Sequence, residues 1–129
     1  MRDLPPYAQT LGIEAVEAPE EGAALLYRMP FGEVVLGRPG FLHGGAIAGL
    51  LEFAAIATLL RELDESGTRV KPINMSVSFM RGGTEQDTFA AATVTRIGGR
   101  VANVEAHAWQ QDRSKPIAAA QLNLLVKRA

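Results

Sequence analysis

No cysteine occurs among the 129 residues. Disulfides, thiolate metal sites and a cysteine nucleophile are therefore excluded. Histidine is scarce as well: His43 and His107 are the only two, without metal-ligand spacing, and no Gly-x-Ser-x-Gly run is present. A zinc enzyme and a Ser-His-Asp hydrolase both lose their signatures. Neither sign of charge dominates, with 13 Lys and Arg against 14 Asp and Glu and a net charge of −1. The basic residues are scattered, so nothing indicates nucleic acid. The opening "MRDLPPYAQTLG" has no apolar core of signal-peptide length. The most apolar run, Gly44–Leu60, falls short of the ~20 residues of a membrane span and carries an acid at mid-length. These absences point to a protein of the cytoplasm with no membrane segment.

Nearly half of the residues, 47%, are apolar, so a core is affordable, and the length suits one domain spanning residues 1–129. Asp3–Thr10 predicts a short helix with both prolines in its first turn. Leu11–Ala18 alternates weakly and reads as a strand, "PEEG" as a turn, and "AALLYRMP" as a second strand ending at Pro30. The glycine-rich "FGEVVLGRPGF" reads as a loop with a short strand at Val34–Leu36. A greasy helix follows from His43 to Asp64, with Gly67 as its C′ residue. The period then drops to two. In "INMSVSFM", Ile73, Met75, Val77 and Phe79 alternate with polar residues, and "TFAAATVTRI" is a further β run. Gly98–Gly99 predicts a tight hairpin. In "RVANVEAHAWQ", Ala102, Val104, Ala106 and Ala108 oppose Val101, Asn103, Glu105, His107 and Trp109. Along "IAAAQLNLLVK", the apolar face carries Ala118, Ala120, Leu122, Leu124 and Val126. The order is helix, two strands, long helix, then four β runs, of which three are hairpin-connected. This is an α+β fold: a curved antiparallel sheet wrapped around one long central helix, which its apolar surface requires to be almost completely surrounded. Trp109 predicts that its face of the sheet is covered, as between two dimers.

Within that helix Glu52 stands out, because positions 48, 49, 55 and 56 are Ala, Gly, Ala and Ile. No cation one turn away pairs with it, and burying a lone carboxylate is costly. Exit to solvent, an arginine partner from the sheet, or a functional role would each answer that cost. His43-Gly44-Gly45 stands at the helix start, where first-turn N–H groups lack intrahelical partners and the dipole favours negative charge. Such a place suits an oxyanion, although glycines there also permit close packing. His43 and Glu52 lie about 13.5 Å apart along a helix axis and half a turn apart in azimuth. Glu52 therefore does not readily serve its own helix's N-terminus, whereas two chains about a two-fold axis bring one Glu52 to the other's Gly44. A carboxylate acting as base on water or as nucleophile, beside a helix-end oxyanion site, suits hydrolysis of an activated acyl group such as a thioester.

"GFLHGGAIAGLLEFA", "PINMSVSFMRGG" and "TRIGGRVANVEAHAW" resemble the hotdog-fold acyl-CoA thioesterases, especially the phenylacetate-pathway and 4-hydroxybenzoyl-CoA type, from about Leu11 to Lys127. The resemblance implies a hotdog fold, a five-stranded sheet around a long helix, and dimers or dimers of dimers that share their active sites. It implies Glu52 as catalytic acid, Gly44 as the N–H that polarises the thioester carbonyl, and His43 as the residue shaping that turn. Gly45, Asn74, Arg81 and Arg100 are the candidate substrate-binding residues, the arginines toward the phosphates of coenzyme A. Coenzyme A is part of the substrate, and neither metal nor separate cofactor is expected. The sequence departs from relatives at Gly37, where many place Asn or Gln, at Pro72, where some place Ser or Thr, and at Ile56, where some place Thr. Asn74, Ser76 and Thr58 remain as polar substitutes. A non-catalytic acyl-CoA or fatty-acyl binding module is the alternative, and the Gly/Pro-rich histidine signature of a hotdog dehydratase is not seen.

Overall fold

In a computed structural model, residues 4–16 and 25–128 are described. The predicted turn at residues 19–22 lies outside them, as do Asp3, the end of the first predicted strand and the start of the second. Helix α1 (Pro6–Leu11) leads to β1 (Glu14–Val16) and β2 (Leu26–Met29). A 3-10 turn at Glu33–Val35 replaces the short strand expected at Val34–Leu36, where only a lone bridge, Leu36 to Leu42, forms. Helix α2 (Gly44–Leu63) precedes β3 (Arg69–Phe79), β4 (Thr88–Ile97), β5 (Val101–Trp109) and β6 (Ala118–Lys127). The strands form one antiparallel sheet in the order β1-β2-β4-β5-β6-β3. With α2 as its one long helix, the curved six-stranded sheet has the hotdog architecture. No helix among the described residues is long and apolar enough to cross a membrane.

The hairpins β4-β5 and β5-β6 follow from the alternation and glycine signals, and the predicted inward residues of β5 and β6 are all buried. Strand β3 departs from the reading. It reaches β6 across the end of the sheet instead of pairing with β4. Its register with β6 shifts between Pro72 and Asn74, so Ile73 leaves the inward row and is exposed, whereas Met75, Val77 and Phe79 stay opposite Leu122, Ala120 and Ala118. An extra residue turns the pattern over at the bulge. The sheet thus has six strands, not the five implied by the resemblance.

Alanine and leucine favour α2. It ends at Leu63, one residue earlier than expected. Asp64, at φ 42°, occupies the left-handed cap position assigned in advance to Gly67, and Gly67 adopts φ 80° in the next turn. Ile47, Leu50, Leu51, Ala54, Ala55 and Leu59 of α2 are buried in the sheet's concavity. The helix is not surrounded on every side, however. Gly49, Glu52, Phe53, Ile56 and Leu60 stay half-buried along a groove roofed in part by α1. Gly49 lets α1 approach. A Cβ there would stand 2.8 Å from Tyr7 Cε2 and 3.1 Å from Leu11 Cδ1, so mid-helix glycine, costing about 1 kcal/mol against alanine, has a packing reason here.

Candidate functional site

The loop before α2 is folded tightly on itself. Gly37 N–H donates to Phe41 O at 2.9 Å, and His43 N–H to Val35 O at 2.8 Å. A Cβ at Gly37 would stand 3.0 Å from His43 Cα, so the position where the resemblance leads one to expect an amide faces backbone in this chain. His43 is the N-cap of α2. Its Nδ1 accepts from Gly45 N–H at 2.9 Å, while its carbonyl accepts from Ala46 and Ile47 N–H. The ring therefore carries no proton on Nδ1 in this arrangement. With Gly45, Ala46 and Ile47 engaged, Gly44 N–H alone in the first turn finds no partner among the described residues. The Phe79 ring stands beside Gly44, 3.4 Å from where a Cβ on that residue would be. Gly44, Arg38, Phe41, Phe79 and Arg81 line a hollow of about 340 Å³. The Arg38 guanidinium stacks on Phe41 at 4.4 Å.

Glu52 faces elsewhere. It lies in the wall of the long groove, about 900 Å³, among Tyr7, Leu25, Tyr27, Phe53 and Ile56. The arginine partner considered from sequence is absent: Glu52 makes no ion pair or side-chain hydrogen bond among the described residues, where the ion pairs are Arg28–Glu14 and Arg128–Glu65. Groove and hollow share no lining residue. Glu52 lies eight positions along the helix from Gly44, about 12 Å along the axis. Within one chain the carboxylate and the open amide are not brought together.

The other predicted residues divide. Arg81 joins Gly44 at the hollow. Arg100 is exposed in the β4-β5 turn, at the opposite end of the sheet, where its carbonyl accepts from Val126 N–H. Asn74 lies on the sheet's outer face, away from α2. Its Oδ1 accepts from Asn123 Nδ2 at 2.8 Å, and Asn123 Oδ1 accepts from Asn103 Nδ2, a ladder across three strands. Ser76 shares that face by register, and Thr58 is half-buried on α2. Among the described residues no three His, Asp or Glu side chains form a metal-binding cluster. Trp109 is covered within the chain, as expected of its face of the sheet. It stacks between Phe89 and His107, and Arg113, from the turn after β5, lies 4.7 Å over its ring. Sequence reading missed Tyr7 and Tyr27 as groove residues. The alternation of "LLYRM" marks Tyr27 as inward, but only the tertiary crossing of α1 over α2 creates a groove for it to face.

The profile of the Thioesterase superfamily matches residues 39–117. No curated protein matches the chain. Among solved structures, a protein of Chromobacterium violaceum is 36% identical over 95% of this chain and 83% of its own, with a TM-score of 0.76. A phenylacetic acid degradation-related protein of Ralstonia eutropha JMP134 is 23% identical over 96% of this chain and 92% of its own, with a TM-score of 0.83. A Bacillus halodurans protein solved with CoA is 23% identical over 100% and 83%, with a TM-score of 0.87. At 23% identity the last two speak to the fold.

Two outcomes follow from the site and its surroundings. His43→Ala removes the N-cap, and urea unfolding should show a loss of about 1 kcal/mol. Burial, and next the Arg113 charge, push the His107 imidazole below its usual range, and Arg113 Nε donates to its Nε2 at 3.2 Å. The unfolded chain therefore takes up the proton first. The stability contribution is fully present above the ordinary histidine pKa of about 6.5 and is lost as pH falls from there through the lowered folded-state value. Unfolding free energy measured across this range should slope downward on the acid side, and His107→Gln should flatten that slope.

Proposed function

The chain belongs to the thioesterase superfamily, and from that premise we propose that it hydrolyses an acyl-CoA thioester to free acid and CoA, at a site completed by two copies of the chain. The observation that carries this reading is the pairing of one open helix-end amide with one unpaired carboxylate that the fold holds in separate hollows. The thioester carbonyl oxygen accepts from Gly44 N–H at the positive end of α2. Glu52 of the second copy takes a proton from water, whose oxygen attacks the carbonyl carbon. The negative charge that gathers on the carbonyl oxygen stays on the Gly44 amide. The carbon–sulfur bond then breaks, the sulfur leaves as thiolate, and the proton held by Glu52 completes the thiol. Attack by the Glu52 carboxylate itself, through an anhydride that water then opens, gives the same products.

In this reading His43 and Gly45 shape the turn, and Arg81 and Arg38 offer guanidinium groups to CoA phosphates beside Gly44. The CoA found with the Bacillus halodurans protein supports a ligand of that type. Asn74 and Arg100 line neither the groove nor the hollow of one chain. The reaction calls for no cofactor, since CoA enters with the substrate. Strand β3 supports the second copy: 11 residues long, it forms an edge of the sheet with exposed Phe79 and Met80 beside it. An open edge of that length is a template for pairing, and a two-fold axis there sets the two α2 helices antiparallel. The alternative, a non-catalytic acyl-CoA binding module, is favoured by Gly37, where backbone fills the place of an amide.

Release of free thiol from a series of aliphatic and aryl acyl-CoA thioesters separates the two. The wild-type protein should turn over, and Glu52→Ala should lose about a hundredfold or more. Equal turnover by both proteins removes Glu52 from the reaction, and binding without turnover favours the module. Light scattering should find no monomer at micromolar concentration.

A further inference from the structure

The groove beside Glu52 carries more polarity than an alkyl chain needs. Leu11, Leu25, Phe53, Ile56 and Leu60 make its walls apolar, and Tyr27 belongs to the same wall. Tyr27 stands on the inner face of β2, opposite Ala90, with its ring edge-on to Phe53 at a centroid distance of 5.2 Å. The residue is only 5% exposed. Its hydroxyl nevertheless has no hydrogen-bond partner among the described residues, and none of their fully enclosed side-chain polar atoms is orphaned. The hydroxyl therefore looks for its partner outside the described residues, and the groove it lines offers a ligand that place. Arg61 lines the groove too, and its charge reaches the phenol, opposing the upward push that burial exerts on it. Among the described residues Arg61 forms no ion pair, and nearby Glu65 is engaged by Arg128 and Thr68.

Resting on the thioesterase reading above, we propose that the groove takes the acyl part of the thioester and that Tyr27 determines its specificity, donating a hydrogen bond from Oη to an acceptor oxygen carried on the acyl group beyond the thioester carbonyl. The substrate class is then oxygen-bearing acyl thioesters in preference to plain alkyl ones. A plain alkyl chain would displace water from the hydroxyl and return nothing, and a site built around a buried donor rejects the analogue that leaves it unpaired. Arg61 reinforces the same preference by favouring electron-rich oxygen at that part of the groove.

Binding tests this apart from turnover. S-hexyl, S-octyl and S-decyl thioethers of CoA, which cannot be hydrolysed, are compared by calorimetry with counterparts ending in a hydroxyl or a carboxylate. The wild-type protein should bind an oxygen-ended thioether about tenfold more tightly than its alkyl match. Tyr27→Phe, which removes one oxygen atom, should abolish the advantage of the hydroxyl-ended thioethers and tighten alkyl binding, because no buried donor is left unpaired, with an unaltered circular dichroism spectrum. Equal affinity for both series in the wild-type protein, a hydroxyl advantage that survives Tyr27→Phe, or no binding of any thioether overturns the proposal. Absent thiol release together with the expected binding pattern would sink hydrolysis and leave the specificity of the groove standing. Thiol release with no effect of Tyr27→Phe on binding would do the reverse.

Discussion

The close approach of α2 to the sheet is the contact on which the rest of the structure depends. The inner sheet face is surfaced largely with alanine: Ala90, Ala92, Ala102, Ala106, Ala108, Ala118 and Ala120 are all buried. Larger side chains gather toward one end, as Leu122, Leu124 and Val126 along β6. Against that face α2 buries Ala46, Ile47, Leu50, Leu51, Ala54, Ala55 and Leu59, so large and small side chains alternate along its length. Large residues set among small ones are how a core reaches native density without voids. Each buried leucine contributes about 1.5–3 kcal/mol. Such packing also fixes the rotation of α2 about its axis. The rotation decides that Glu52 faces the groove and that Gly44 opens beside Phe79.

That fixed rotation gives Glu52 its character. A carboxylate on a helix whose other faces are buried in alanine and leucine has one direction left, and in that direction the groove offers Tyr7, Phe53 and Ile56 but no paired cation among the described residues. At the other landmark, the first turn of α2 uses its donors closely. His43 takes up one N–H with its ring and two with its carbonyl, leaving Gly44. A helix N-terminus with all its donors satisfied offers an anion little, whereas one donor left open at the positive end of a 20-residue helix is a directed site.

Much of this arrangement is legible from residues. The alternation in β5 and β6 is strict because both strands bury one face on the helix, so period two reports burial directly. The HGG turn and the isolated acid are visible because each breaks the pattern around it. The misreadings share another cause: they depend on partners distant in sequence. The bulge at Ile73 forms in pairing with β6, some fifty residues later, and its one local mark in "PINMSV" is Pro72, a residue that strands admit at edges and bulges. Asn74 reads as a polar substitute near the site until Asn123 and Asn103 draw it into a ladder on the outer face. Trp109 reads as covered, and Phe89 of β4, twenty residues earlier, shares that cover with Arg113 of the following turn. Tyr27 takes its meaning from a groove that α1 completes.

Gly37 ties these levels together. A glycine there reads as a loss, an amide missing from a family pattern. In the structure the backbone of residues 37–43 closes on itself so tightly that a Cβ at 37 would press on His43 Cα. That closure holds the His43 carbonyl and ring in position to satisfy Gly45, Ala46 and Ile47 while Gly44 stays open. The side chain that is absent and the amide that is exposed are two consequences of one tight loop. In the proposed reaction, polarisation of the carbonyl then falls to the helix end, and the second copy's carboxylate must organise water without help from an amide at position 37. An activated thioester tolerates such a sparse site, because its carbonyl is already electrophilic.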